Sequence, residues 1–225
     1  SQKDFVYHFS KTVRRILFLT IPSTFFIFLL RREIVSLILG AGKFSSDDIN
    51  STALVLSAFA LCLVSESLFS VLARAFYSRK DTLTPVKAAT VGFCVNVVGC
   101  LILGRKFGAL GLALSFSLSS ICGFIVLTIL LRLKHGPSDF RRIVFAFFRI
   151  LGAALVMFLV MLGVKALLSS YFIQSDFLFL LKRFIIISLT GLVVFLGLSR
   201  LFRFEEIDAV RNIFRLNKSE RTNGK

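Results

Sequence analysis

The sequence predicts an all-α fold, a polytopic membrane helical bundle of about six transmembrane helices, and three observations carry that prediction. Hydrophobic residues make up 56% of the 225 positions, including 27 Phe, and the mean hydropathy is +0.84, outside the range of soluble globular chains. The apolar residues fall in blocks between short charged clusters, not in amphipathic stripes. Two blocks also exceed the ~20 residues that a helix needs to cross a bilayer core: 107–131 holds 25 positions without a charge, and 53–73 holds 21 with Glu66 as the single charge.

The first and shortest apolar core, "ILFLTIPSTFFIFLL" at 16–30, contains Pro22, which removes a helix hydrogen bond and predicts a kink. Beyond Arg31 and Arg32, "EIVSLILGAGKFSSDD" predicts a short helix at the outer interface, a glycine turn, and a new helix over 47–76. Ser45 or Ser46 would cap that helix, with Asp47 and Asp48 in its first turn where the dipole favours anions. In "LARAFYSRKDTLTPVK", 72–87, Arg74, Arg79 and Lys80 fall at the helix C-terminus, where cations complement the dipole. Thr84 followed by Pro85 predicts an N-cap and first helical position, hence a third span starting near Pro85. The short loop makes spans two and three antiparallel neighbours.

Spans three and four, with cores at 88–104 and 107–131, carry small residues at helical spacing: Gly92, Asn96 and Cys100 in one, Gly111, Ser115, Ser119 and Gly123 in the other. In lipid such ladders let backbones approach closely; a polar lining to a transport cavity is the alternative. A basic loop with a Gly-Pro break, 133–142, leads to two very apolar spans at 143–164 and 184–199. Arg149, near the start of span five, is placed to snorkel to the interface. The tail sets Phe204, Ile207, Val210 and Phe214 at helical intervals among arginines, an interfacial amphipathic helix followed by a disordered polar end.

The formal charge of +16 would suggest nucleic acid in a soluble protein. Almost every Lys and Arg instead sits at the end of an apolar block, so no nucleic-acid partner is expected. With both termini and loops two and four on one side, 20 of the 28 basic residues share that side. Basic excess marks the cytoplasmic face, so both ends are expected in the cytoplasm. Cys62, Cys94, Cys100 and Cys122 lie in predicted spans with no CxxC and no nearby His, the pattern of small packing residues; no metal and no cofactor are expected. The chain opens on "SQKDF", without an initiator Met or a cleavable signal pattern, and an N-terminal portion of a larger protein is expected to precede it.

Glu66 is the acidic residue deepest in a span, with Ser65, Ser67 and Ser70 near it. An intramembrane carboxyl is costly and marks a pathway, an ion site or a buried pair; a protonated or serine-bonded structural Glu is the other reading. Glu66, Ser70 and Asn96 are the substrate-path candidates. No GxSxG, HExxH or paired intramembrane carboxylates occur, so the chain is not expected to be an enzyme.

"RAFYSRKDTLTPVK" resembles the F-Y-[AS]-R-x-D-T-x-T-P signature of the MurJ (MviN) lipid II flippases, within the multidrug, oligosaccharidyl-lipid and polysaccharide exporter superfamily. Phe76, Tyr77, Arg79, Asp81, Thr82, Thr84 and Pro85 match it, and "GKFSSDD" matches G-x-F-[ST]-x-x-D at Gly42, Phe44, Ser45 and Asp48. Asn96 and "GLAL" at 111–114 also fit. The resemblance implies the last six spans of a fourteen-span fold. Residues 1–135 would be four spans of the C-terminal transporter lobe, 136–201 two added helices that flank a lipid-tail groove, and 202–225 a cytoplasmic tail. It further implies a bacterial inner-membrane protein whose partners are lipid II, membrane lipids and the missing N-terminal half. Arg74, Phe76, Tyr77, Arg79, Asp81, Thr84 and Pro85 would form a cytoplasmic gate loop. The alternatives are another exporter of the superfamily, for polysaccharide or drug, and a membrane subunit that binds partners without transporting.

Overall fold

A computed structural model describes residues 2–40, 44–135, 140–171 and 177–202. The chain folds into six α-helices: α1 Gln2–Leu39, α2 Ser46–Tyr77, α3 Leu83–Phe107, α4 Ala109–His135, α5 Phe140–Tyr171 and α6 Phe177–Leu201. All six are long and apolar enough to cross a membrane. Helices are what such a sequence must form, because lipid offers no partners and a helix satisfies its backbone N–H and C=O groups internally.

α1 has 38 residues, about 57 Å at 1.5 Å per residue, and passes through Pro22 without losing its helical assignment. The separate interfacial helix expected after Arg32 does not exist; α1 continues to Leu39. The reason is local: residues 31–39 contain neither Gly nor Pro, and the first breaker is Gly40, whose N–H still bonds the Ser36 carbonyl at 2.9 Å. At the start of α2 the expected cap is present. The Ser45 hydroxyl accepts from the Asp48 N–H and the Asp48 carboxylate accepts from the Ser45 N–H, a reciprocal capping box. The expected tail helix at Phe204–Phe214, the Gly-Pro break and Gly42 lie outside the described residues.

The helices pack as a row, α3 on α4, α4 on α2 and α2 on α1, while α5 and α6 pack on α1 and on each other. The core follows α1, with Leu17, Phe18, Ile21 and Leu30 meeting Leu72 and Phe76 of α2, Ile150 and Met161 of α5, and Ile187 and Phe195 of α6. Phe18 and Phe195 rings sit 5.0 Å apart, within the range of favourable aromatic pairs. Many large apolar side chains point outward, such as Phe93, Ile102, Leu159 and Val193, as expected of a surface solvated by acyl chains.

Spans two and three are not the neighbours that their short loop suggested, since α3 packs on α4 and barely touches α2. Small residues decide this. A Cβ on Gly92 would stand 3.1 Å from the Ser119 carbonyl oxygen, and one on Gly99 would stand 2.9 Å from the Ser115 side chain, so the two backbones are nearly in contact. Gly92, Gly111, Ser115, Ser119 and Gly123 are therefore packing residues as the ladder implied, but the α3 register runs through Gly99. Asn96 and Cys100 are half-buried and bond each other, Sγ to Oδ1 at 3.0 Å. Gly108, at φ 57°, makes the whole connection between α3 and α4, a left-handed conformation that glycine adopts without a Cβ penalty. A serine seam joins α4 to α2: Ser117 donates to the Ala58 carbonyl at 2.6 Å and Ser120 bonds Ser65 at 2.9 Å.

Candidate functional site

The α2–α3 loop is built from two terminus motifs placed back to back. At the end of α2, the Asp81 N–H bonds the Phe76 carbonyl at 3.1 Å and the Lys80 N–H bonds the Tyr77 carbonyl at 3.0 Å. Lys80 is left-handed, at φ 61°. That is the bonding of a Schellman terminus with Lys where glycine is usual. Asp81 then leads into α3. Its Oδ1 accepts from the Thr84 N–H at 3.1 Å and its Oδ2 from the Thr84 hydroxyl at 2.7 Å.

The expected Thr84 cap with Pro85 in first position is therefore corrected. α3 starts at Leu83 and Asp81 serves as its capping side chain, because a carboxylate accepts two bonds from one residue and complements the helix dipole. Pro85 stays in the first turn, where its missing N–H has no acceptor to lose.

A third helix closes the arrangement. The Lys134 ammonium, near the end of α4, donates to Asp81 Oδ2 at 2.8 Å and to the Thr84 hydroxyl at 2.6 Å. The Lys134 ammonium, with the Thr84 hydroxyl and N–H, holds the Asp81 carboxyl well below the usual carboxylate range. One carboxylate thus ties together the end of α2, the start of α3 and the end of α4. Of the expected loop residues, Phe76, Thr84 and Pro85 are buried and Asp81 and Arg79 half-buried, while Arg74 and Tyr77 are exposed. Lys134 was not separable in sequence from the other basic loop residues, being fifty positions from Thr84 with no spacing rule to connect them.

The path candidates do not converge on this knot. Glu66 and Ser70, one turn apart on α2, are exposed, on a face that neither α1 nor α4 covers, while Asn96 lies on α3. Neighbouring serines do not engage the carboxyl: Ser65 pairs with Ser120 and Ser67 donates to the Leu63 carbonyl. Glu66 therefore faces outward from these six helices.

At the opposite end of the bundle a buried ion pair appears that the sequence did not announce. Lys165 of α5 contacts Glu33 of α1 at 2.8 Å, with the Glu33 side chain 6% exposed, and also donates to the Leu29 carbonyl at 2.8 Å. Arg149, expected to snorkel, bonds the Phe202 carbonyl past the end of α6, where a cation complements the dipole.

A sequence profile described as "Lipid II flippase MurJ" matches residues 1–183. The chain belongs to the MurJ family. The "Probable lipid II flippase MurJ" of Thermotoga maritima is 34% identical over 210 residues, covering 93% of this chain and 41% of that protein. The "Lipid II flippase MurJ" of Thermosipho africanus is 31% identical over 202 residues, covering 89% and 38%. A solved structure, "Lipid II flippase MurJ, inward closed conformation", matches with a TM-score of 0.74 at 29% identity, covering 90% of this chain and 40% of that one. The chain thus spans about two-fifths of the MurJ proteins it matches. Membership and the six apolar helices make it a multi-pass protein of the bacterial inner membrane. In this MurJ chain the FYSRKDTLTP signature is a structural clasp, its buried residues at the junction of three helix ends.

Proposed function

We propose that this chain is the C-terminal portion of a lipid II flippase, moving a polyprenyl-pyrophosphate-linked peptidoglycan precursor across the inner membrane by alternating access. The observation that carries this reading is the structural match over 90% of the chain to a MurJ flippase at a TM-score of 0.74. The chain acts as a transporter rather than an enzyme. Residues 1–135 form four spans of one lobe, 136–201 add two helices, and 202–225 form a cytoplasmic tail. The part of the MurJ length that this chain does not cover supplies the other lobe. Both ends lie in the cytoplasm, as the placement of 20 of 28 basic residues supports.

In this mechanism the lobes rock about a midplane cavity, and the Asp81–Thr84–Lys134 clasp lets α2, α3 and α4 move as one body at the cytoplasmic gate. Glu66 and Ser70, on the uncovered face of α2, and Asn96 line the substrate path.

Depleting the protein should accumulate lipid II in the cytoplasmic leaflet, and re-expression should reverse it. Glu66→Gln should impair complementation while membrane insertion and protein level stay near normal. An unchanged leaflet distribution on depletion argues for another exporter of the superfamily or a non-transporting subunit. Equal loss of protein and function in Glu66→Gln makes Glu66 structural.

A further inference from the structure

The end of the bundle away from the clasp holds a cavity of about 720 Å³ between α1, α2, α5 and α6, within the size range of small-ligand sites. Four cations line it: Arg31, Arg32, Lys165 and Arg183. Among the described residues no carboxylate lines it, and Glu33 beside Lys165 is taken up by that ammonium. Three positive charges are therefore uncompensated among the described residues. Arg31 donates to the Ser57 hydroxyl at 3.3 Å and stacks on Phe28 with 5.0 Å to the ring centroid. Arg183 reaches the Lys165 carbonyl at 3.5 Å, and its Nε is buried without a hydrogen-bond partner. A buried guanidinium nitrogen left unsatisfied is costly, and a cluster of like charges adds repulsion. An anion removes both costs.

The surroundings narrow the anion. The apolar core 16–30 of α1 ends directly before Arg31, so the cations stand where hydrocarbon gives way to headgroups. The remaining walls are apolar, with Leu54, Phe158 and Leu162. We propose that this cavity binds the phosphodiester headgroup of an anionic phospholipid, the arginines forking onto phosphate oxygens and the upper acyl chain lying on Leu54, Phe158 and Leu162. The assignment rests on the cavity's cations and apolar walls and does not depend on what the protein transports.

The test is thermal stability and native mass spectrometry of the detergent-purified protein, titrated with phosphatidylglycerol, phosphatidylcholine or inorganic phosphate. Phosphatidylglycerol should stabilise and be retained, and phosphatidylcholine at equal concentration should not. Arg31→Gln and Arg183→Gln should each weaken phosphatidylglycerol binding about fivefold, taking roughly 1 kcal/mol per cation near a membrane surface. Arg32→Gln, at an exposed position on α1, should do the same without changing the lipid-free melting temperature, so a folding defect in the other two leaves the test decisive. Arg105→Gln, a basic residue outside the cavity, should leave binding unchanged. Equal stabilisation by phosphatidylcholine, equal stabilisation by inorganic phosphate, or unaltered phosphatidylglycerol binding in Arg32→Gln would each overturn the assignment.

Discussion

Replacing Lys165 by Met tests whether the Glu33–Lys165 pair holds α5 against α1. In the native protein the ammonium makes contacts to Glu33 Oε1 at 2.8 Å, Glu33 Oε2 at 3.1 Å and the Leu29 carbonyl at 2.8 Å. Met fills much of the same volume and keeps the apolar stem, so the change isolates the charge. It leaves the Glu33 carboxylate, 6% exposed, without its partner. Breaking a buried pair by removing one member costs about 3–5 kcal/mol. Lys165 is 27% exposed, so water reaches the vacated position and about 2–3 kcal/mol is the better expectation. At about 2–4 °C per kcal/mol for a chain of this length, the melting temperature should fall by roughly 5–10 °C. Far-UV circular dichroism suits the measurement, because a thiol dye would already label the exposed Cys94 in the folded protein. The double variant Glu33→Gln/Lys165→Met should recover at least half of the loss, since a neutral amide carries no uncompensated charge. A shift within about 1 °C in Lys165→Met, or a double variant as unstable as the single one, refutes the reasoning.

Three further perturbations address the clasp, the tight α3–α4 turn and an open helix position. Asp81→Asn should lower the melting temperature at neutral pH. A carboxyl whose folded-state value lies below its ordinary 3.8 contributes stability present above that ordinary value and lost as pH falls through the folded one. The gap between wild type and Asp81→Asn should therefore be constant above about pH 4 and close in more acid solution; a gap that changes around neutrality contradicts it. Gly111→Ala places a Cβ 2.0 Å from the Leu103 carbonyl oxygen, a backbone atom with little room to retreat, and should destabilise by at least about 1–3 kcal/mol. Gly152→Ala, with nothing within 4 Å of the new Cβ, should be neutral or stabilising by up to about 1 kcal/mol. Thermal melting of both variants checks the contrast.

What the sequence determined by itself was the six membrane-spanning helices and the cap at the start of α2, but not that α1 would run on through the interfacial helix expected after Arg32. Lipid forces every apolar block into a helix, and Ser45 with Asp48 acts through a bond three residues long, so both are local facts. Thr84 with Pro85 was legible as a helix start for the same reason, although the capping side chain proved to be Asp81, which takes the Thr84 N–H. What only the tertiary structure decided was which helix lies beside which. In lipid, apolar area does not discriminate between neighbours, so α3 chose α4 over α2 by backbone approach at Gly92 and Gly99. Lys134 found Asp81, and Lys165 found Glu33, across fifty and more positions. No periodicity encodes such pairs, because they exist only once the packed helices bring their ends together.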